Sequence, residues 1–299
     1  MKTYSIVIPH KNTPELLQRL LDSIPQRKDL EIIIVDDNSD PQIVNFEQFP
    51  GCTRDDVRLV FTKNGKGAGY ARNVGMKHAH GKWLIFADAD DFFSEKFSSV
   101  LNKAIDYTED IVFFKHKSVL SDDISKPVSR CDEMNSFVDS YLNNKNNYTA
   151  EMQLRCLWCI PVTKLIRKEL VDRHHIQFSE VRYANDIFFS IQTGIQATSI
   201  RAIADEAYII TARDKSLTSN FCGTPEEFRI RLSESLKTDN YIKKANVSNG
   251  GRRGATDLLW HVYYDWGERY MWHCCFANCI YPKVFSIVLM FLLKRRLKK

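Results

Sequence analysis

Three carboxylates stand in four positions at Asp88, Asp90 and Asp91, directly after the apolar run Trp83–Ala87. Like charges this close disfavour one another's ionised form unless something positive sits among them. A hard divalent cation, Mg²⁺ or Mn²⁺, would do that, because it takes carboxylate oxygens while keeping water and phosphate oxygens as further ligands. The plainer alternative is a solvated acidic turn that caps a helix near Ser94. The metal reading is the stronger one because other stretches call for the same anionic ligand.

The elements that must position these acids can be read from the apolar pattern. Tyr4 to Pro9 is a β-rich run that ends in the polar turn His10-Lys11-Asn12. Thr13 and Pro14 start a helix with Leu16, Leu17, Leu20, Leu21 and Ile24 on one face. Glu31 to Val35, Val57 to Phe61 and Lys82 to Ala87 read as further strands, with a helix over Tyr70 to Ala79. Continuous apolar strands alternating with helices predict a buried, mostly parallel α/β sheet. Such sheets bind ligands at the carboxyl ends of their strands. Pro9-His10-Lys11, Asp36-Asp37 and Asp88-Ala89-Asp90 all fall at strand ends, so they are expected to share one crevice.

The loop Gly65-Lys66-Gly67-Ala68-Gly69 follows the third strand, whereas a dinucleotide fingerprint places its glycines after the first. A nicotinamide dehydrogenase is therefore not expected. A loop lying over a phosphorylated ligand fits better, with Arg72 and Asn73 at the start of the next helix.

The chain has 299 residues, of which 44% are hydrophobic and 26% charged, enough for one large domain with or without an appendage. Its net charge of +5 is concentrated at the end, where Lys294 to Lys299 hold five bases, so nucleic-acid binding is not expected. Eight cysteines in a chain of this length do not make a disulfide framework. Cys156-Leu157-Trp158-Cys159 and the cluster His273, Cys274, Cys275 and Cys279 read as buried free thiols, with zinc or redox spacing as the alternative. With no charged-then-apolar leader at the start, the expected location is the cytoplasm.

Four segments, taken together, resemble family 2 glycosyltransferases of GT-A fold. They are Ser5-Ile6-Val7-Ile8-Pro9, Val35-Asp36-Asp37-Asn38-Ser39, the stretch from Asn64 through Ala71-Arg72-Asn73 to Gly75, and Asp88-Ala89-Asp90-Asp91. The resemblance covers roughly residues 3 to 100. It implies a Rossmann-like central sheet flanked by helices, with a catalytic domain over 1–220 and a helical C-terminal region over 221–299.

The same resemblance implies roles for particular residues. Asp90 and Asp88 would hold Mg²⁺ or Mn²⁺ against the diphosphate of a nucleotide sugar, a UDP-sugar first of all. Pro9, His10, Lys11, Asp37, Gly67, Arg72, Asp88 and Arg213 would line the donor site. Lys11 stands where many relatives carry an aromatic residue for stacking on uracil, which leaves His10 or a different base as options. Asn185-Asp186-Ile187-Phe188-Phe189 is similar to the segment bearing the general base, which assigns Asp186 that role. A helix N-cap is the other reading of Asp186, and a surface salt bridge the other reading of Arg213. The implied reaction is inverting transfer of a sugar to an acceptor hydroxyl, on a saccharide or lipid-linked acceptor of bacterial surface-polysaccharide type. A nucleotidyltransferase and a non-catalytic, membrane-associated binding protein are the rivals. The first of these would want a glycine-rich basic loop after the first strand, which Pro9-His10-Lys11-Asn12 does not provide.

The C-terminal third carries Trp260, Tyr263, Tyr264, Trp266, Tyr270 and Trp272, then an apolar run from Val284 to Leu293 before the basic end. That run is too short to span a bilayer. It suits a helix lying at an anionic membrane surface, or one packed on the catalytic domain.

Overall fold

The computed structural model describes residues 2–130, 132–144, 147–213, 224–252 and 254–259. The aromatic tract, the His273–Cys279 cluster and the terminal apolar and basic segment lie outside the described residues.

The first hundred residues follow the apolar pattern closely. Strand β1 (Tyr4–His10) leads through Pro14 into α1 (Pro14–Ser23), whose Leu17, Leu20 and Leu21 are buried. Strands β2 (Leu30–Asp37) and β3 (Val57–Thr62), helix α2 (Ala68–His78) and strand β4 (Trp83–Phe86) come next. A short β5 (Phe92–Phe93) and α3 (Phe97–Ala104) precede β6 (Ile111–Leu120). Helices α4 (Asp132–Asn143) and α5 (Tyr148–Leu157) lead to β7 (Lys164–Arg167) and α6 (Lys168–Arg173). Then come α7 (Ile187–Gln196), β8 (Ile200–Ala212) and α8 (Pro225–Ala245).

The strands form one eight-stranded sheet in the order β3-β2-β1-β4-β7-β6-β8-β5. β3, β2, β1 and β4 run parallel, and β6 pairs parallel with β8. β7 is antiparallel to both β4 and β6, and β5 is antiparallel to β8. Because β1 and β2 are buried on both sides, successive residues serve two cores. Ile6, Ile8, Ile32 and Ile34 pack with α1 and α3, while Val7, Ile33 and Val35 pack with α2 and the helices beyond it.

Helix α2 lies so close to the sheet that Gly75 has no room for a side chain. A Cβ there would stand 2.4 Å from Val7 Cγ1 and 3.3 Å from Val35 Cγ2. In an exposed helix Ala would be favoured over Gly by about 1 kcal/mol, so packing decides the sign here. We expect Gly75→Ala to destabilise the protein by about 1–3 kcal/mol, as overpacking does. Urea unfolding would show a lower midpoint at unchanged m-value; an unchanged or higher midpoint would mean that α2 can shift at no cost.

Candidate active site

The carboxyl ends of β1, β2, β3 and β4 meet at one edge of the sheet, as the register His10↔Asp36, Asp37↔Thr62 and Val7↔Phe86 requires. The turns after β1 and β2 each pass through an asparagine in the left-handed region, Asn12 and Asn38, which asparagine tolerates better than most residues. They are tied together: Asn12 N–H donates to Ser39 Oγ and Asp40 N–H to Asn12 Oδ1, at 2.9 and 2.8 Å.

His10 and Asp36 serve this scaffold. His10 is 2% exposed; its Nδ1 lies 2.8 Å from Asp36 Oδ2 and its Nε2 accepts from Thr13 N–H at 3.2 Å. Burial works to raise the Asp36 carboxyl, but hydrogen bonds from His10 and Ser39 outweigh it and hold it below its usual range. The imidazole meets Phe49 edge-on and leaves no ring face open for stacking. Pro9 is half-buried beside it, and Lys11 is exposed with its ammonium near Gly65. Asp37 pins the glycine loop: its carboxylate accepts from Lys66 N–H at 3.1 Å and Gly67 N–H at 2.6 Å. Gly67, at φ 93°, then starts α2.

The three acids after β4 have different fates. Asp91 turns inward, 4% exposed, and accepts from Thr211 N–H on β8 at 2.7 Å. Burial, with Asp90 and Asp88 nearby, pushes its carboxyl well up. It is therefore part of the fold and not a third ligand for a cation. Asp88 and Asp90 remain partly exposed, at 38% and 30%. Each carries a guanidinium: Arg72 Nη2 lies 2.5 Å from Asp88 Oδ1, and Arg213 Nη2 lies 2.6 Å from Asp90 Oδ2. Tyr208 accepts from Asp88 N–H at 2.9 Å, which fixes the start of the acidic turn.

Arg72 also brings the remaining acid into the site. Its Nη1 donates to Asn185 Oδ1 at 2.9 Å, beside Asp186 at the start of α7. Asp186 sits in the N-cap position but makes no side-chain capping bond. Burial raises its carboxyl, opposed by the Arg72 charge and assisted by Asp88. The structure thus groups Asp88, Asp90, Asp186, Arg72, Arg213 and the Gly67 loop at one edge, and gives His10 to the scaffold.

Among the described residues no three His, Cys, Asp or Glu side chains converge as a metal cage. Two partly exposed carboxylates suit a hard cation that keeps waters and phosphate oxygens in its shell. A cleft of about 610 Å³ lies at the opposite edge of the sheet, lined by Lys82, Arg167, Lys168, Glu169, Asp172 and Arg173. Its acids are already paired with Lys168 and Arg173. Cys156 is buried and Cys159 half-buried, both free; burial pushes the Cys156 thiol up to about 11, so neither has the character of a reactive thiolate.

The fold and this edge define a GT-A-type α/β domain with an acidic, arginine-lined crevice. Residues 5–174 match the profile of glycosyl transferase family 2, and the chain belongs to that family. It is 27% identical over 251 residues to poly(ribitol-phosphate) beta-N-acetylglucosaminyltransferase TarS of Staphylococcus aureus, a match covering 80% of this chain and 41% of that protein. It is 30% identical over 272 residues to the poly(ribitol-phosphate) beta-glucosyltransferase of Bacillus spizizenii, covering 88% of this chain and 40% of that protein. The chain therefore spans about two fifths of the length of these relatives. Residues 1–349 of TarS in complex with UDP-GlcNAc superpose with a TM-score of 0.63 at 21% identity, covering 91% of this chain and 75% of that one. The mannosyltransferase PcManGT from Pyrobaculum calidifontis, in complex with GDP-Man and Mn²⁺, gives a TM-score of 0.54 at 16% identity, covering 97% and 79%. At these identities the structural likeness is one of fold.

Lys164 opens the segment Lys164–Leu170, which resembles the family region upstream of the general base, and it is 1% exposed. Its Nζ donates to Trp158 O at 3.0 Å and lies 5.4 Å from the Phe113 ring centroid. Thr163 before it is held in the left-handed region at φ 63°, strained for a β-branched residue. Burial pushes Lys164 down from 10.5 to about 7, partly offset by Cys159 and Asp186. Between about pH 7 and 10.5 the unfolded chain holds a proton the native chain has released, so raising the pH through that window stabilises the fold. Below it both states are protonated and the burial cost remains in full. We expect Lys164→Met to remove this slope and to stabilise the protein at neutral pH by about 1–4 kcal/mol. Urea unfolding of both proteins at neutral and alkaline pH tests this; parallel pH slopes would exonerate Lys164.

Proposed function

We propose that this chain is an inverting glycosyltransferase, moving a sugar from a nucleotide-diphosphate sugar to an acceptor hydroxyl. The observation that carries the reading is the grouping of Asp88 and Asp186 around Arg72 at the carboxyl edge of the sheet, with Asp90 beside them on Arg213. Two acids there face the donor and one faces the acceptor.

The Asp186 carboxylate takes the proton of the acceptor hydroxyl, and the freed oxygen pair attacks the anomeric carbon. The bond from that carbon to the diphosphate oxygen breaks on the opposite face, its electrons leave with the nucleoside diphosphate, and configuration inverts. A carboxyl raised by burial suits general-base work near neutral pH. Asp88 and Asp90 would hold Mg²⁺ or Mn²⁺, which when bound offsets charge on the leaving diphosphate. Arg213, free to turn from Asp90, matches phosphate oxygens in the way guanidinium groups do. Asp37, through Lys66 and Gly67, holds the loop over the donor, with Pro9 and Lys11 at its rim.

Relatives support the substrate class. TarS crystallised with UDP-GlcNAc, so a UDP-sugar is the first donor to try. The poly(ribitol-phosphate) substrates named for two relatives point to a surface-polymer or lipid-linked acceptor, met at the cytoplasmic face of the membrane. Among the described residues no helix is long and apolar enough to cross a membrane, which fits peripheral contact.

Asp186→Asn is expected to lower transfer by about 10²–10⁴-fold, the usual worth of a general base, while UDP still binds in the presence of Mn²⁺. Retained turnover would remove Asp186 from the role. Asp90→Asn should abolish the part of UDP-induced thermal stabilisation that requires Mn²⁺; an undiminished Mn²⁺-dependent shift would place the cation elsewhere.

A further inference from the structure

The segment 178–186, which delivers Asp186 to the site, is gripped from two sides. On the α2 side, the Asn73 amide pairs with both backbone groups of Phe178, accepting from N–H at 2.8 Å and donating to O at 3.0 Å. Gly69 lies flush against it, where a Cβ would come within 2.2 Å of Ser179 O. The segment then turns through Ala184 at φ 55°, a conformation that a non-glycine residue keeps only when its surroundings impose it.

The opposite grip comes from α8, whose Glu234 lies 55 residues beyond Ser179 in sequence. Ser179 Oγ donates to Glu234 Oε2 at 2.6 Å and accepts from Lys237 Nζ at 2.8 Å. Ser179 and Glu234 are 8% and 7% exposed. Lys237 Nζ lies 4.1 Å from the Phe188 ring centroid, just past Asp186, and Arg231 stacks over Tyr183. Further along, Gln196 Nε2 donates to Tyr241 Oη at 2.6 Å, and Phe188 meets Tyr241 edge-on. α8 thus touches the chain both before and after Asp186. A buried carboxylate and hydroxyl, met by the exposed Lys237 ammonium, are a costly way to glue two elements when apolar packing would serve. What such a network supplies is direction: one hydroxyl fixed between a donor and an acceptor at one distance.

We propose that Glu234 is a positioning residue for Asp186. With Lys237 it locks the Ser179 hydroxyl, and α8 thereby belongs to the catalytic unit rather than to a separate appendage. The proposal rests on the reading of Asp186 as general base. Misplacing a reacting group by about 1 Å can cost on the order of 10²-fold in rate, so a lock on this segment acts on kcat and not on donor binding.

The test uses the full chain carrying Ser179→Ala, Ser179→Thr, Glu234→Gln or Asp186→Asn. Hydrogen exchange over 178–188 should accelerate roughly tenfold or more in Ser179→Ala and Glu234→Gln, since exchange reports local opening. Ser179→Thr, which keeps the hydroxyl, should restore protection. With UDP-GlcNAc as donor and poly(ribitol phosphate) as acceptor, kcat should fall at least about tenfold in the first two variants, with Kd for UDP and Mn²⁺ within about twofold of the parent. Unchanged exchange and kcat in Ser179→Ala, with transfer lost in Asp186→Asn, would overturn the positioning role and leave the base assignment standing. Equal losses of kcat and UDP affinity would overturn it too, by showing a general structural defect. Full turnover in Asp186→Asn would overturn both.

Discussion

One buried guanidinium holds the two halves of the crevice together. Arg72 is 5% exposed and reaches Asp88 with one terminal nitrogen and Asn185 with the other. Its third nitrogen, Nε, is buried without a hydrogen-bond partner among the described residues, and Phe178 lies beneath it, 5.3 Å from centroid to Cζ. The rigid planar fork of arginine can span two acceptors in this way, whereas the single ammonium of lysine cannot. Asp88 follows β4 and Asn185 precedes α7, so the contact joins segments almost a hundred residues apart. Removing a partner of such a buried pair leaves an uncompensated charge, which costs far more than the net worth of the pair.

The rest of the site follows from placing that guanidinium. Arg72 lies on the first turn and a half of α2, so the helix must start at the sheet edge, and the glycine loop sets that start. Asp37 accepts from two successive amides of the loop, and Gly67 takes a φ of 93° that other residues avoid. Asn73, the next residue after Arg72, holds Phe178 by both backbone groups. Sequence neighbours in α2 therefore hold both the acidic turn after β4 and the segment leading to Asp186. On the far side of the acidic turn, β8 completes the frame, with Thr211 taking Asp91 and Tyr208 taking the Asp88 amide.

How much of this could be read from sequence depends on the range of the interactions. Strands β1, β2 and β4 were legible because their burial is continuous, β3 from its apolar run although none of it is fully buried, and helices α1 and α2 from local signals, proline at Pro14 and glycine at Gly67. Strand β6 was not: it runs from Ile111-Val112-Phe113-Phe114 into Lys115-His116-Lys117, and its irregular pairing with β8 around Lys115 hides the period. The insertion of β7 between β4 and β6 is a long-range choice with no local mark. The acids show the same limit. Asp88, Asp90 and Asp91 are chemically alike in sequence, and it is β8, through the amide of Thr211 and the hydroxyl of Tyr208 more than 110 residues on, that holds Asp91 inward. His10 reads as a stacking partner for a base only because Lys11 stands at the family's aromatic position; in the structure Asp36, across the register, holds its Nδ1. The partnership of Ser179 with Glu234 leaves no trace in either neighbourhood.

The two aspartates of the acidic turn that carry guanidinium partners differ in what they can give up. Asp88 is tied to a guanidinium that is 5% exposed, whereas the Arg213 and Asp90 side chains are 40% and 30% exposed. An exposed ion pair is worth only about 0–1 kcal/mol, so Asp90 and Arg213 can part at little cost. Asp88 cannot release Arg72 without stranding a buried charge. On the proposed reading, ligand binding would then remodel the Asp90 side of the crevice and leave the Asp88–Arg72–Asn185 bridge intact. The bridge that orients the base would stay in place while the donor end exchanges its partners, which lets one chain bind and release a charged substrate without disturbing the carboxylate that does the chemistry.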